Sequence, residues 1–154
     1  MTRVLAGLAV LFLASRVAVA QEYSVAELAA AFGRGVIVIE ANMHACYSFD
    51  VFVAESDTQK LRGLMFVREL PQQMGMLFIY SDTAVHSMWM KNTYIPLDIL
   101  FIRGDGTVSS VARNTEPLSL RSISATEPVN YVLELNAGVT QRLSIDAGST
   151  LILN

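Results

Sequence analysis

The sequence predicts an all-β fold, a single sandwich or barrel of about nine strands with a short N-terminal helix and a short inserted helix. First, apolar runs of strand length follow one another from residue 75 to the end, separated by turn residues at regular spacing. Second, the chain has 154 residues, 53% of them hydrophobic, which suits one domain with a core of ordinary size. Third, the sequence contains no internal repeat, linker or low-complexity tract that would indicate a second domain.

Residues 1–20 have the features of a secretory signal peptide. Arg3 supplies the positive charge, residues 4–14 form an apolar run too short to span a bilayer, and the Ala-Val-Ala sequence ending at Ala20 is typical of a cleavage site. We therefore expect a single mature all-β domain of residues 21–154, periplasmic or secreted. The alternative interpretation is an uncleaved membrane anchor.

The charge balance limits the partners that the mature chain can have. The full chain has 11 basic and 14 acidic residues, and cleavage would remove two arginines and no acids, leaving a net charge of −5. No basic block remains, so we expect no nucleic acid partner and no stable membrane anchor after cleavage. The single cysteine, Cys46, cannot form an intrachain disulfide. We expect no cofactor, and a partner that is an unknown small molecule or an envelope protein.

The two helices are predicted from capping boxes. Ser24 and Glu27 form the first, ahead of apolar residues at helical spacing, and Gly33 stands where that helix would stop. Ser56 and Gln59 form the second. The inserted helix should have about two turns, and its apolar face should be formed by Leu61, Leu64 and Met65.

The strands are predicted from β-rich runs and turn residues. Residues 36–40 form the first run. In the second run apolar residues alternate with others, so one face of the strand should meet the core; its residues are Tyr47, Phe49, Val51 and Val53. Further along, a Gly-Asp-Gly hairpin turn is expected at 104–106, and residues 113–128 form the longest loop. The remaining predicted strands are residues 75–80, ending at a turn at 81–82, then 85–91, 97–102, 107–112, 129–135, 139–145 and 149–153.

Two acids interrupt apolar strands. Asp98 lies between Leu97 and Ile99, and Glu134 lies between Leu133 and Leu135. A buried carboxylate is costly without a partner, so each acid needs one. The basic residues that could pair with Asp98 are Arg62, Arg68 and Lys91.

Residues 62–102 contain RGLMFVREL, GMLFIY and MWMKNTYIPLDILFI. In their order and spacing these segments resemble a family of secreted prokaryotic proteins known as domain of unknown function 192, over most of the mature chain. The resemblance implies an exported protein with a jelly-roll-like sandwich, and it implies no particular reaction. The positions that match the family's motif are Arg62, Gly63, Met65, Gly75, Met76, Trp89, Asn92, Thr93, Pro96, Asp98 and Glu134.

A non-catalytic binding or accessory domain is the first functional hypothesis. Arginine would hold an anionic group, amide and hydroxyl groups would add hydrogen bonds, and the indole would offer a flat face. The ligand would be a small anion, a carbohydrate or a peptide. The candidate ligand-binding residues are Arg62, Arg68, Trp89, Asn92, Thr93 and Asp98. The structural alternative is that both acids serve only the fold and that Asn92 and Thr93 form a turn.

Two other hypotheses remain open. A cell-envelope hydrolase could use Asp98 and Glu134 as acid and base, provided that they share one cleft. Alternatively, a Cu(I) ion could be bound by three soft ligands, His86, Met88 and Met90, if they converge on an open surface. Methionines in apolar contexts, however, are usually core residues. No serine or cysteine lies in a nucleophile motif.

Overall fold

The computed structural model describes residues 23–42 and 44–153. This part of the chain contains nine strands and three short helices, which confirms the predicted all-β class. The predicted signal peptide lies outside the described residues. None of the described helices has the length and apolar character needed to cross a membrane.

The elements follow one another with few long connections. The helices are α1 (Val25–Ala31), α2 (Asp57–Arg62) and α3 (Val139–Arg142). The strands are β1 (Gly33–Glu40), β2 (Cys46–Ala54), β3 (Met74–Ala84), β4 (Ser87–Met88), β5 (Leu97–Ile102), β6 (Val108–Ala112), β7 (Ile123–Ser124), β8 (Val129–Asn136) and β9 (Thr150–Leu153).

Seven of these strands form one curled sheet, in the order β6-β5-β8-β3-β2-β1-β9, and β4 pairs with β7 in a small second sheet. The pair β2–β3 is parallel, whereas every other paired set of strands is antiparallel. Parallel neighbours need a crossover connection. Helix α2 and the segment after it provide this crossover, which places the helix over one face of the sheet.

The sheet curls until its two outer strands meet at one end. The Val108 N–H donates to the Ser149 carbonyl at 2.8 Å, and the Leu151 N–H donates to the Gly106 carbonyl at 2.8 Å. Gly106 has φ +87°, and a Cβ atom there would lie 2.5 Å from the Leu151 carbonyl oxygen. Only glycine allows this close approach without displacing the backbone.

Gly106→Ala is expected to lower the free energy of unfolding by at least about 2 kcal/mol, because it adds a backbone clash to the strain of a positive φ. Gly138→Ala is the matched control, since Gly138 has φ +82° and a Cβ atom added there would have no neighbour within 4 Å. The control should show the strain alone, about 1 kcal/mol. Urea unfolding curves measure both. Equal losses would mean that the contact at Gly106 does not hold the sheet closed.

Both faces of the sheet are covered by apolar side chains. One core, the inner core, contains Phe49, Val51, Leu100 and Leu135 with their neighbours and packs against α3. The other, the outer core, lies between the sheet and the layer formed by α1 and the segment that follows α2, and includes Phe52, Met76, Phe78 and Ile99. The predicted alternation in β2 is confirmed. The side chains of β2 that pack in or against the inner core are Tyr47, Phe49, Val51 and Val53.

Four local predictions were wrong. Residues 139–145 were predicted as a strand, but they begin with α3, because Gly138 adopts a left-handed conformation and Asp98 accepts hydrogen bonds from Thr140. The predicted strand 85–91 is reduced to Ser87–Met88, and the predicted turn at 81–82 lies within β3. Helix α2 ends at Arg62, so Leu61 is 65% exposed and does not face the core.

Candidate ligand-binding site

A cavity of about 340 Å³ lies over the outer face of the sheet, between α2 and β4. Its size is at the lower end of the range for small-molecule sites. The wall combines apolar and aromatic groups with a few polar ones. The lining residues are Lys60, Leu61, Arg62, Gly63, Leu64, Met65, Phe78, Tyr80, Ser87, Met88, Trp89, Thr93, Leu120, Ser122 and Glu134.

Helix α2 places two cations on this wall. The helix begins at the predicted capping box, where the Ser56 hydroxyl accepts from the Gln59 N–H and the Gln59 side chain accepts from the Ser56 N–H. Its C-cap is Gly63, which has φ +48° and where an added Cβ would lie 3.3 Å from the Phe78 ring. A helix of six residues fixed at both ends holds Lys60 and Arg62 in its last turn.

Arg62 is held by aromatic rings. Its guanidinium carbon lies 4.1 Å from the centroid of the Tyr23 ring and 5.3 Å from that of Phe32. Its Nε and Nη2 atoms are buried and have no hydrogen-bond partner. Among residues 23–42 and 44–153, no carboxylate forms an ion pair with it. Cation–π contacts of this kind fix a guanidinium and leave its donors unpaired.

Lys60 is held in a similar way. Its Nζ lies 4.8 Å from the centroid of the Tyr80 ring, and its side chain is only 16% exposed. Asp57 approaches it at 3.9 Å, but that carboxylate is fully exposed. An ion pair this long and this well hydrated contributes little, so the lysine charge stays available to the cavity.

Glu134 provides the acid of the site. It projects from β8 opposite Met76 of β3 and Ile99 of β5, and it is 4% exposed. Its Oε2 atom is buried without a hydrogen-bond partner. Burial raises the pKa of this carboxyl to about 8, so Glu134 is protonated at neutral pH. Burial, Glu134 and Asp82 raise the pKa of Tyr80 to about 12.

The mouth of the cavity is apolar. Trp89 is 40% exposed there, together with Leu61 and the 71% exposed Leu120. Lys91 lies over the Trp89 ring at 4.9 Å. Inside the mouth, Thr93 is buried, and the Met88 sulfur accepts a 3.7 Å hydrogen bond from the Tyr80 hydroxyl.

Asp98 does not belong to this cavity. It pairs with Leu135 across β5 and β8, whereas Glu134 pairs with Ile99, so the two carboxyl groups project from opposite faces of the sheet. The condition that they share one cleft is therefore not met, and the two-carboxylate hydrolase loses its geometry.

The partners of Asp98 are also different from those predicted. Its Oδ1 accepts from the Asn114 N–H at 3.0 Å. Its Oδ2 accepts from the Thr140 N–H at 3.0 Å and from the Thr140 hydroxyl at 2.7 Å. The Thr140 hydroxyl in turn accepts from Arg113 Nε. Asp98 is thus a structural carboxylate that fixes α3 and the loop after β6, which corrects its placement among the ligand-binding residues.

Two other candidates lie outside the lining. Arg68 stacks over the Tyr94 ring at 4.7 Å and faces a different surface depression beside Pro96. Asn92 has φ +55°, and its carbonyl accepts a hydrogen bond from the Phe66 N–H. This conformation fits the alternative interpretation, in which Asn92 belongs to a turn and does not bind a ligand. Arg62, Trp89 and Thr93 are the three ligand-binding candidates that the structure brings together.

The Cu(I) hypothesis requires an open surface, and the structure contradicts this. Met90 is fully buried, and its sulfur accepts from the Thr115 hydroxyl at 3.2 Å. Met88 is 9% exposed, and His86 stacks on the Tyr80 ring at 3.6 Å. The described residues also contain no cluster of three or more His, Cys, Asp or Glu side chains suited to a metal ion.

Sequence reasoning missed Lys60 and Tyr80 as residues of the site, together with the leucines at its mouth, Leu61 and Leu120. Lys60 lines the cavity together with Arg62, but a spacing of two residues does not place side chains on the same side of an ideal helix, so the pattern carries no signal for it. Tyr80 shares a face of β3 with Met76 and Phe78, because side chains two residues apart in a strand point the same way. The parallel register that brings these two elements together has no signal in the sequence.

Comparisons with other proteins agree on the fold and the family. A crystal structure of a "putative transcription regulator" from Sinorhizobium meliloti 1021 is 39% identical with a TM-score of 0.77, and the match covers 79% of this chain and 94% of that one. A crystal structure of a protein of unknown function from Novosphingobium aromaticivorans DSM 12444 is 29% identical with a TM-score of 0.77. That match covers 88% of this chain and 94% of the other chain. None of the curated proteins is similar enough to count as a match.

The sequence profile of the DUF192 family, described as "Uncharacterized ACR", matches residues 36–153. The match runs from residue 36, within β1, to the end of β9, and it includes all the residues of the cavity wall. It confirms the resemblance seen in residues 62–102. This chain belongs to the DUF192 family.

Proposed function

We propose that this chain is an exported, non-catalytic binding domain whose cavity beside α2 holds a small molecule. The observation that carries the proposal is Glu134, a buried carboxyl at the cavity wall with an unpaired oxygen. Burying a polar group without a hydrogen-bond partner costs roughly 1–3 kcal/mol in proteins. A bound ligand would supply the missing partner.

The composition of the wall supports binding. A few convergent polar groups in an otherwise apolar and aromatic concavity are typical of ligand sites. The cavity contains one carboxyl group, from Glu134, because Asp98 is fully engaged on the other face of the sheet. Acid–base hydrolysis by two carboxylates needs a second group in the same cleft, so the geometry favours binding.

An envelope protein that presents a peptide is the second candidate occupant. The exposed apolar side chains at the mouth favour it, since a peptide could cover them. Nucleic acid is a disfavoured occupant, although the Sinorhizobium protein is described as a transcription regulator, because this chain has a net charge of −3 and no basic block.

Native mass spectrometry tests the proposal. The full-length gene is expressed with its own N-terminal segment, and the protein is recovered from the periplasm without refolding. We expect the mass of residues 21–154, which corresponds to cleavage after Ala20, together with a second species heavier by the mass of the ligand. A co-purified peptide or protein would identify the second candidate occupant.

Variants link the extra mass to the cavity. Trp89→Ala and Arg62→Ala should lose it, because they remove the flat face and a cation of the wall. Leu118→Ala is the control, since Leu118 is 55% exposed and outside the lining. A retained segment 1–20 would contradict export with cleavage. An unliganded mass, with no binding in a subsequent small-molecule screen, would contradict the binding function.

A further inference from the structure

We infer that the cavity selects a small organic acid, bound as its anion by Lys60 and Arg62, with its apolar body against Trp89 and the leucines at the mouth. The inference rests on the proposed function and names the chemical class of the ligand. It depends on three features of the wall: its charge, the state of its cations and the nature of its mouth.

The charge of the lining favours an anion. The titratable side chains that line the cavity are Lys60, Arg62, Tyr80 and Glu134. Burial raises the pKa of Glu134 to about 8 and that of Tyr80 to about 12, so both are uncharged at pH 7. The lining therefore has two positive charges and no negative charge at neutral pH. A cationic ligand would meet like charges at short range.

The two cations are positioned by aromatic rings, and the acids near them, Asp57 beside Lys60 and Glu27 near Arg62, are exposed to solvent, which weakens the pairing. Aromatic rings hold both groups, at 4.8 Å for Lys60 on Tyr80 and at 4.1 Å for Arg62 on Tyr23. Two nitrogen atoms of Arg62 have no hydrogen-bond partner. Structural arginines are usually paired with carboxylates or carbonyls when buried. Carboxylate is the group that best matches an arginine fork, through charge-assisted hydrogen bonds.

The remaining contacts describe the rest of the ligand. The protonated carboxyl of Glu134 can donate one hydrogen bond, which suits a hydroxyl or carbonyl oxygen of the ligand. The mouth offers an indole face and two exposed leucines, at 65% for Leu61 and 71% for Leu120. Such a mouth would bury an aromatic or branched aliphatic body. The cavity volume of about 340 Å³ restricts the ligand to a small molecule.

The test compares two compounds of the same shape that differ by one charge, 3-phenylpropionate and 3-phenylpropionamide. Each is titrated at pH 7 into the ¹⁵N-labelled protein, and the Trp89 indole N–H and the Gly63 amide are followed by NMR. We expect the acid to bind at least about tenfold more tightly than the amide, as one charge-assisted hydrogen bond would give. Equal or tighter binding of the amide would overturn the inference.

Charge variants show where the selectivity arises. Lys60→Gln should lower the affinity for the acid toward that for the amide and have a smaller effect on the amide. Arg34→Gln is the matched control, because it removes one positive charge from an exposed side chain on β1, outside the lining. If both variants lower the affinity for the acid equally, the selectivity comes from the overall charge of the protein, and the assignment to the cavity is wrong.

A pH series gives an independent readout. Between pH 7 and 9, Glu134 ionises and places a negative charge in a lining that also contains Lys60 and Arg62 of α2 and Tyr80 of β3. His86, between β3 and β4, stacks on the Tyr80 ring. The affinity for 3-phenylpropionate should fall several-fold in the wild type and stay constant in Glu134→Gln. The same fall in both proteins would contradict the proposed role of Glu134.

The outcomes separate this inference from the proposed function. If the amide binds in the cavity as well as the acid does, the site binds ligands but does not select anions. If neither compound shifts the Trp89 or Gly63 signals and the native mass is unliganded, the proposed function fails, and this inference fails with it.

Discussion

Glu134→Gln is expected to stabilise the folded protein by about 4 kcal/mol at pH 8 and to leave its stability unchanged below pH 4.5. The carboxyl has an ordinary pKa of 4.5 in the unfolded chain, whereas burial raises its pKa to about 8 in the folded one. Between these values the unfolded chain releases a proton that the folded protein keeps, so stability falls as the pH rises. Each pKa unit corresponds to about 1.36 kcal/mol. Glutamine does not ionise and should lack this slope.

Urea unfolding at pH 4.5, 6, 7 and 8 measures the effect in the wild type, in Glu134→Gln and in Glu55→Gln. Glu55 is the control, because its side chain is exposed and the same substitution should keep the wild-type slope. Parallel pH profiles for the wild type and Glu134→Gln would show that the buried carboxyl is ionised or paired in the folded protein. That result would remove the main support for a ligand that completes its hydrogen bonding.

Asp98→Asn is expected to destabilise the protein by about 3–5 kcal/mol, as is usual when one partner of a buried charged network is lost. The carboxylate is fully buried and accepts three hydrogen bonds, from the Asn114 N–H and from the N–H and hydroxyl of Thr140. An asparagine amide has one acceptor oxygen and would point its N–H₂ group toward donors. Helix α3 should loosen first, because Thr140 lies within it.

Asp50→Asn is the matched control, since Asp50 is exposed on β2. Urea unfolding compares the two variants, and NMR titration of the folded fraction tests the cavity. We expect Asp98→Asn to lose stability but keep its affinity for any cavity ligand, because Asp98 faces the other side of the sheet. A stable variant with lost ligand affinity would return Asp98 to the binding site.

The fold was predictable where the sequence carries a local signal. Alternation in β2, the two capping boxes and the apolar run of β5 all correspond to elements of the structure. The signal failed where long-range contacts decide the conformation. Residues 139–145 contain Val139 and Thr140, which favour strands in isolation, but the hydrogen bonds to Asp98 hold the segment as a helix. The parallel pairing of β2 with β3 likewise depends on the crossover as a whole.

The candidate site was predictable only in part, for the same reason. Arg62, Trp89 and Thr93 were recognised and lie on one wall, whereas Asp98 and Glu134 looked equivalent in sequence. Both are single acids in apolar strands, and only the strand register shows that they face opposite sides of the sheet. Their partners differ as well, since the donors around Asp98 come from residues 16 and 42 positions away in the chain.

The pairing of β1 with β9 has a kinetic consequence. Ile37 faces Leu153 and Glu40 faces Thr150, so the first strand of the sheet shares hydrogen bonds with the last. Pairings between residues more than 100 positions apart raise the contact order, and domains dominated by such pairings fold on the millisecond-to-second timescale. The sheet cannot be completed until β9 is available to pair with β1. A chain truncated before β9 would thus leave the backbone hydrogen-bonding groups of Ile37–Glu40 unpaired on one side, and an open strand edge of this kind promotes association between chains.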